Sequence, residues 1–191
     1  MDYPVSLDFL FDNTPRHIPT NWLVITGAPS SGKTTLIRTL AALGYKTNLD
    51  ISRYVIEKLL KTGLTLDQIY QDGKHLQRKI LFEMILNAKK LPLADRIFHD
   101  YSFPDNIPFL KLLSIEVSKE FEIAAEMYRY NKVFVCEPLP FEKDGIRREN
   151  PTDQLFLYEH IRSYYLKLGY QIVYLPAVSI GERIRIITES L

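Results

Sequence analysis

The chain is nearly without cysteine, without net charge and without long apolar runs. Its single cysteine, Cys136, excludes an internal disulfide and fits a reducing compartment. Cys136 ends the apolar run Lys132-Val133-Phe134-Val135, so it reads as core rather than as a reactive thiol. No apolar stretch reaches the ~20 residues that a membrane-spanning helix needs, and no membrane partner is expected. Met1-Asp2-Tyr3-Pro4 lacks the basic start of a secretory signal. A cytoplasmic location is therefore expected, although a secreted effector without a cleavable signal would read the same. Lys and Arg number 24 against 23 Asp and Glu, a formal charge of +1, and no basic stripe is visible. That argues against nucleic acid as the main partner without excluding a local basic patch. No internal repeat or low-complexity tract is present.

What is there suits one α/β core. The 191 residues are 46% apolar and 25% charged, too few for two comfortable domains. Pro4, Pro15 and Pro19 prevent a long helix near the start, so 1–20 reads as an N-terminal extension whose Leu7, Phe9, Leu10 and Phe11 pack on the domain. From Trp22 onward, strands and helices alternate through 21–191, the pattern of a parallel sheet covered on both faces. Strands are expected at 22–26, 45–49, 95–100, 131–136 and 170–175. Helices are expected at 33–43, 51–62, 66–90, 114–130, 152–168 (capped by Thr152) and 180–191. The polar, Gly/Pro-punctuated segment 138–151 reads as a loop.

Gly27-Ala28-Pro29-Ser30-Ser31-Gly32-Lys33-Thr34 meets every constrained position of G-x-x-x-x-G-K-[ST], with apolar Leu23-Val24-Ile25 before it and helix-spaced apolar residues after Thr35. Glycine lets successive N–H groups turn inward around an anion, and the following helix brings its positive end to the same place. Lys33 is expected at the β/γ-phosphates and the Thr34 hydroxyl on Mg²⁺. These residues, with Thr35 after them, imply a bound nucleoside triphosphate.

In open parallel sheets, ligands collect at the carboxyl ends of the strands. That rule selects Asp50, Asp100 and Glu137. Asp100 is the metal-side candidate, with turn capping as its plainer role. Asp50 opens a helix, as an N-cap or as the base for an acceptor hydroxyl. Glu137 reads as a loop carboxylate. Arg53, three residues on, shares a helix face with Asp50, as a surface ion pair or a substrate contact. Arg147 and Arg148 lie where a closing loop could neutralise a transferring phosphoryl group, or else form a solvated charged loop.

The P-loop, Asn48-Leu49-Asp50-Ile51-Ser52-Arg53, His99-Asp100-Tyr101-Ser102-Phe103-Pro104-Asp105, Glu137-Pro138-Leu139-Pro140 and Asp144-Gly145-Ile146-Arg147 occur in a familiar order. From about Trp22 to Leu191, the chain resembles the AAA-domain family of P-loop ATPase and kinase proteins related to the nicotinamide riboside kinase domain. The resemblance implies an α/β, three-layer P-loop NTPase fold with a five-stranded parallel sheet in the order 2-3-1-4-5. It also implies ATP and Mg²⁺, Arg147 in a lid at about 138–151, and Asp105 beside the substrate. Two departures stand out: Asp50 replaces a commoner Glu, and Tyr101 replaces an arginine, with Asp105 one residue further on. Tyrosine cannot imitate a bidentate arginine contact.

The function expected is ATP-dependent phosphorylation of a small hydroxyl compound, a nucleoside or ribosylated base. A nucleotide-dependent ATPase or GTPase switch acting on a macromolecule is the alternative, with Gln68, Gln71 and Gln77 in the region where a water-orienting residue would be needed. Asn131-Lys132 lacks the aspartate of a guanine-selective element, which favours adenine. A polynucleotide end kinase is a third reading, opposed by the near-neutral charge.

Overall fold

The computed structural model describes residues 16–142 and 149–191. Seven strands fall at β1 (Ile18–Pro19), β2 (Leu23–Thr26), β3 (Lys46–Asn48), β4 (Ile97–Asp100), β5 (Tyr128–Arg129), β6 (Lys132–Cys136) and β7 (Ile172–Leu175). Five of them form one parallel sheet, β3-β4-β2-β6-β7. They are the five strands expected, trimmed by one or two residues at their ends. The expected numbering differs because it omitted β1 and β5, which pair with each other as a separate parallel ribbon. The ribbon ties down 16–20: His17 N–H donates to the Glu126 carbonyl at 2.7 Å, and Thr20 N–H to that of Arg129 at 3.0 Å. The rest of the expected extension, 1–15, lies outside the described residues.

Alternation every second residue sorts the sheet into two faces. Leu23, Ile25, Phe98, Phe134 and Cys136 pack with Leu36, Ile37 and Leu40 of α1 (Lys33–Ala42) and Ile187 of α8 (Ile180–Glu189). Val24, Val133 and Val135 belong to the larger cluster on the other side. That cluster includes residues of α2 (Ile51–Leu60), α3 (Leu66–Gln71), α4 (Gly73–Ala88), α5 (Asn106–Leu112), α6 (Lys119–Met127) and α7 (Pro151–Lys167). Cys136 is fully buried and burial pushes its thiol up to about 11, as a core residue should behave.

Three helical expectations need correction. The helix foreseen at 66–90 is two, because the Asp72 carboxylate accepts from His75 N–H at 2.9 Å and starts α4 afresh. The helix foreseen at 114–130 is only α6, since Tyr128 and Arg129 are drawn into pairing with β1. A 3₁₀ turn (Phe103–Asp105) and α5 precede it; Pro108 is tolerated there because the first turn of a helix has no N–H to lose. Asn150, not Thr152, caps α7: its side-chain oxygen accepts from the amides of Thr152 at 2.8 Å and Asp153 at 3.1 Å. None of the described helices is long and apolar enough to cross a membrane.

Candidate active site

The P-loop leaves the carboxyl end of β2 in the centre of the sheet and turns into α1. Gly27 is obligatory there, for a Cβ would stand 2.7 Å from the Cys136 carbonyl oxygen, and its φ is +141°. Ser30 takes φ +54° although it is not glycine, a left-handed conformation of the kind found at binding loops.

Four successive carbonyls are held, one by the loop's own lysine and three by residues from elsewhere in the chain. Lys33 Nζ donates to the Ala28 carbonyl at 2.7 Å and Gln154 Nε2 to that of Pro29 at 2.9 Å. Leu139 N–H donates to the Ser30 carbonyl at 3.0 Å and Arg183 Nη1 to that of Ser31 at 2.5 Å. In a trans peptide the C=O and N–H point oppositely, so the pinned carbonyls of Pro29, Ser30 and Ser31 aim the amides of Ser30, Ser31 and Gly32 the other way, while Pro29, which follows the Ala28 carbonyl, has no N–H to aim. The amides of Ser30, Ser31 and Gly32 donate to no other described group. Together with the N-terminus of α1 they form an anion cradle.

Lys33 is only 7% exposed and also reaches Ser31 Oγ at 3.4 Å, folded across its own loop. Thr34 Oγ1 donates to Asp100 Oδ2 at 3.0 Å, joining the start of α1 to the end of β4. One hydroxyl and one carboxylate suit Mg²⁺, which takes few protein oxygens and keeps its other positions for phosphate and water. No cluster of three or more His, Cys, Asp or Glu able to hold a metal occurs among the described residues.

Two cavities meet at this loop. A groove of about 620 Å³ follows 29–35 and is flanked by Arg38, Arg53 and 139–142. A second cavity of about 340 Å³ has walls of Ile56, Tyr70, Leu76, Ile80, Tyr101 and Phe109, with Asp50, Gln77, Glu149 and Asp153 as polar points. Pro29 and Lys33 line both. The family model described as an AAA domain matches residues 22–183.

The chain belongs to the AAA-domain family.

No curated protein matches it. Among solved structures, deoxyadenosine kinase from M. mycoides with bound dCTP has a TM-score of 0.65 at 12% identity, covering 88% of this chain and 97% of that one. The same enzyme with the products dCMP and a flexible dCDP has a TM-score of 0.58 at 14% identity, with the same coverage. NadR protein in complex with NR has a TM-score of 0.64 at 18% identity, covering 89% of this chain and 51% of that one. At these identities the likeness is one of fold.

Within this AAA domain, the expected site residues separate. Lys33, Thr34 and Asp100 come together, and Asp100 is 2% exposed. Asp50 caps α2, accepting from the Ser52 amide at 2.8 Å and from its hydroxyl, while lining the aromatic cavity. Arg53 faces the groove instead, so these two neighbours on α2 serve different cavities. Asp105 lines neither cavity. It is fully buried, accepting from Thr26 Oγ1 at 2.5 Å, Ser102 N–H at 2.7 Å and the Tyr165 hydroxyl at 3.3 Å. The expectation that Asp105 touches substrate is thus corrected to a buried brace behind the loop. Burial pushes its carboxyl up to about 6, opposed by those hydrogen bonds and by the nearby Lys33 charge. Glu137 is a loop carboxylate that accepts from Ala177 N–H at 3.2 Å. Arg147 and Arg148 lie outside the described residues.

Tyr101, where the resemblance led to an expected arginine, takes φ +74° and puts its ring edge-on to Phe109 at 5.7 Å. Its hydroxyl donates to Asn106 Oδ1 at 3.2 Å. Two residues before it, in β4, His99 lies tilted against Trp22 with ring centres 4.9 Å apart, and burial lowers it to about 4. Sequence reasoning missed Gln154 and Arg183. Their one available signal was a polar residue on an apolar helix stripe, three before Leu157 and four before Ile187.

Proposed function

We propose that this three-layer P-loop domain phosphorylates a small hydroxyl compound, a nucleoside or ribosylated base, at the expense of ATP. The observation that carries this reading is the meeting of two cavities at Lys33. One follows the loop and carries Lys33, Arg38 and Arg53, suited to a triphosphate. The other is walled by aromatic and aliphatic side chains, suited to a flat ring. A hydrolytic switch has no need of the second.

In the reaction, the P-loop amides and Lys33 hold the β- and γ-phosphates, with Lys33 exchanging the Ala28 carbonyl for phosphate oxygen. Thr34 and Asp100 would hold Mg²⁺, which when bound offsets charge on the β- and γ-oxygens. Asp50 takes the proton of the acceptor hydroxyl as that oxygen bonds to the γ-phosphorus and the bond to ADP breaks. Arg147 and Arg148, from the lid at 138–151, close over the transferring group and exclude water. Tyr101 in place of arginine suits an uncharged acceptor surface better than a phosphorylated one.

The test is acceptor dependence. Purified protein with Mg²⁺ and ATP should release ADP slowly alone and at least ~10-fold faster with one member of a nucleoside and ribosylated-base panel, yielding a phosphorylated product by mass spectrometry. A silent panel, with ADP release stimulated by a protein or nucleic acid instead, would support the switch.

A further inference from the structure

Arg183, near the start of α8, is the most deeply buried cation among the described residues, 1% exposed. A buried guanidinium ordinarily meets a carboxylate. This one meets three carbonyl oxygens from three separate segments. Nε donates to Pro176 at 2.6 Å, Nη1 to Ser31 at 2.5 Å and Nη2 to Glu137 at 3.3 Å. Its hydrogen-bonding capacity is largely met, while no carboxylate among the described residues pairs with its charge. The charge lies directly behind the cradle, for a Cβ on Gly32 would come within 3.4 Å of Nη1.

We infer that Arg183 is a positioning residue for the donor phosphates, orienting the Gly32 amide through the Ser31 carbonyl and adding behind the loop a positive charge that no described carboxylate pairs. The inference rests on the nucleotide-binding part of the reading above and is independent of the acceptor. Two physical effects act together. Pinning the Ser31 carbonyl fixes the peptide plane and leaves the Gly32 N–H facing the groove. A cation held away from water is weakly screened, so it attracts an anion in the cradle more strongly than a surface cation would. The second effect scales with phosphate charge, which a merely structural clamp would not.

That scaling is the test. Binding of ATP, ADP and AMP, each with Mg²⁺, is measured by calorimetry for the wild type, Arg183→Met and Arg183→Lys, below the melting temperature of each. Methionine keeps much of the bulk and removes the charge and the donors. Arg183→Met should weaken ATP by about 30-fold, ADP by about 10-fold and AMP by no more than about 3-fold, the range for hydrogen bonds to charged groups. Arg183→Lys keeps the charge but not the three-way geometry, and should weaken ATP by about 5-fold with AMP unchanged. If Arg183→Met does not fold, the lysine variant decides. Equal losses across the three nucleotides, or none, in a folded variant would overturn the inference and leave the kinase reading standing. A wild type that binds neither ATP nor GTP would overturn both.

Discussion

The groove is built mostly from one continuous octapeptide through its backbone, whereas the aromatic cavity is assembled from side chains on α2, α3, α4, α5 and α7. Backbone recognition demands particular conformations, hence fixed glycines and a sequence pattern. Side-chain walls demand only shape and polarity, which many residue combinations supply. The loop can therefore be common to many proteins while the cavity sets what each one accepts.

The comparison can be broken at three places. Lys33→Ala removes the loop's own cation, and at saturating ATP should lower acceptor-dependent ADP release by about a thousandfold, the scale of losing charge stabilisation in a closed site. A rate within tenfold of wild type would mean that the groove does not process the triphosphate.

The joint between the cavities is Asp105, bonded both to Thr26 before the loop and to Ser102 beside Tyr101. Its raised carboxyl, at about 6 against 3.8, holds its proton more tightly in the folded state, so it contributes stability at low pH that is lost as pH rises from about 4 to 6. Neighbouring His99, lowered to about 4 from 6.5, does the reverse, its contribution growing as pH rises from about 4 to 6.5. Each is worth about 3 kcal/mol, so in the wild type they nearly cancel. Asp105→Asn leaves the histidine alone, and its urea-unfolding free energy should climb by about 3 kcal/mol from pH 4 to 6 relative to the wild-type trend. Parallel curves would refute the buried-brace assignment.

The smallest effect sharpens the comparison. Phe109→Ala, which removes the ring facing Tyr101, should raise KM for the acceptor about 10-fold and KM for ATP less than about 2-fold. Equal changes in both would mean that the cavities are not separate sites.

Legibility in the sequence followed the same division. Leu23-Val24-Ile25, Val133-Phe134-Val135 and the P-loop announce themselves, because a buried parallel strand and a phosphate cradle each need local residues of a definite kind. Thr34 was readable from the loop motif and Asp100 from the strand-end rule, and the two meet. Asp105 was misplaced because a carboxylate beside substrate and one bracing a buried turn have the same letter and the same spacing. Tyr128 and Arg129 continued a helical pattern yet joined β1, more than a hundred residues earlier. Gln154 and Arg183 act on carbonyls far along the chain, and hydrogen bonds to backbone leave no trace in the partner's sequence.

The anchors of the loop carry a consequence for synthesis. Residues 27–34 leave the ribosome before three of the four donors that pin their carbonyls, those of Leu139, Gln154 and Arg183. Strand β2 likewise waits for β4 and β6 before it has either neighbour. Since domains form as units from such distant contacts, a nascent chain short of α8 exposes a glycine-bearing loop with no fixed shape. Nucleotide can then reward only a chain that has grown through α8, and its arrival would act as a checkpoint on the folding of this domain.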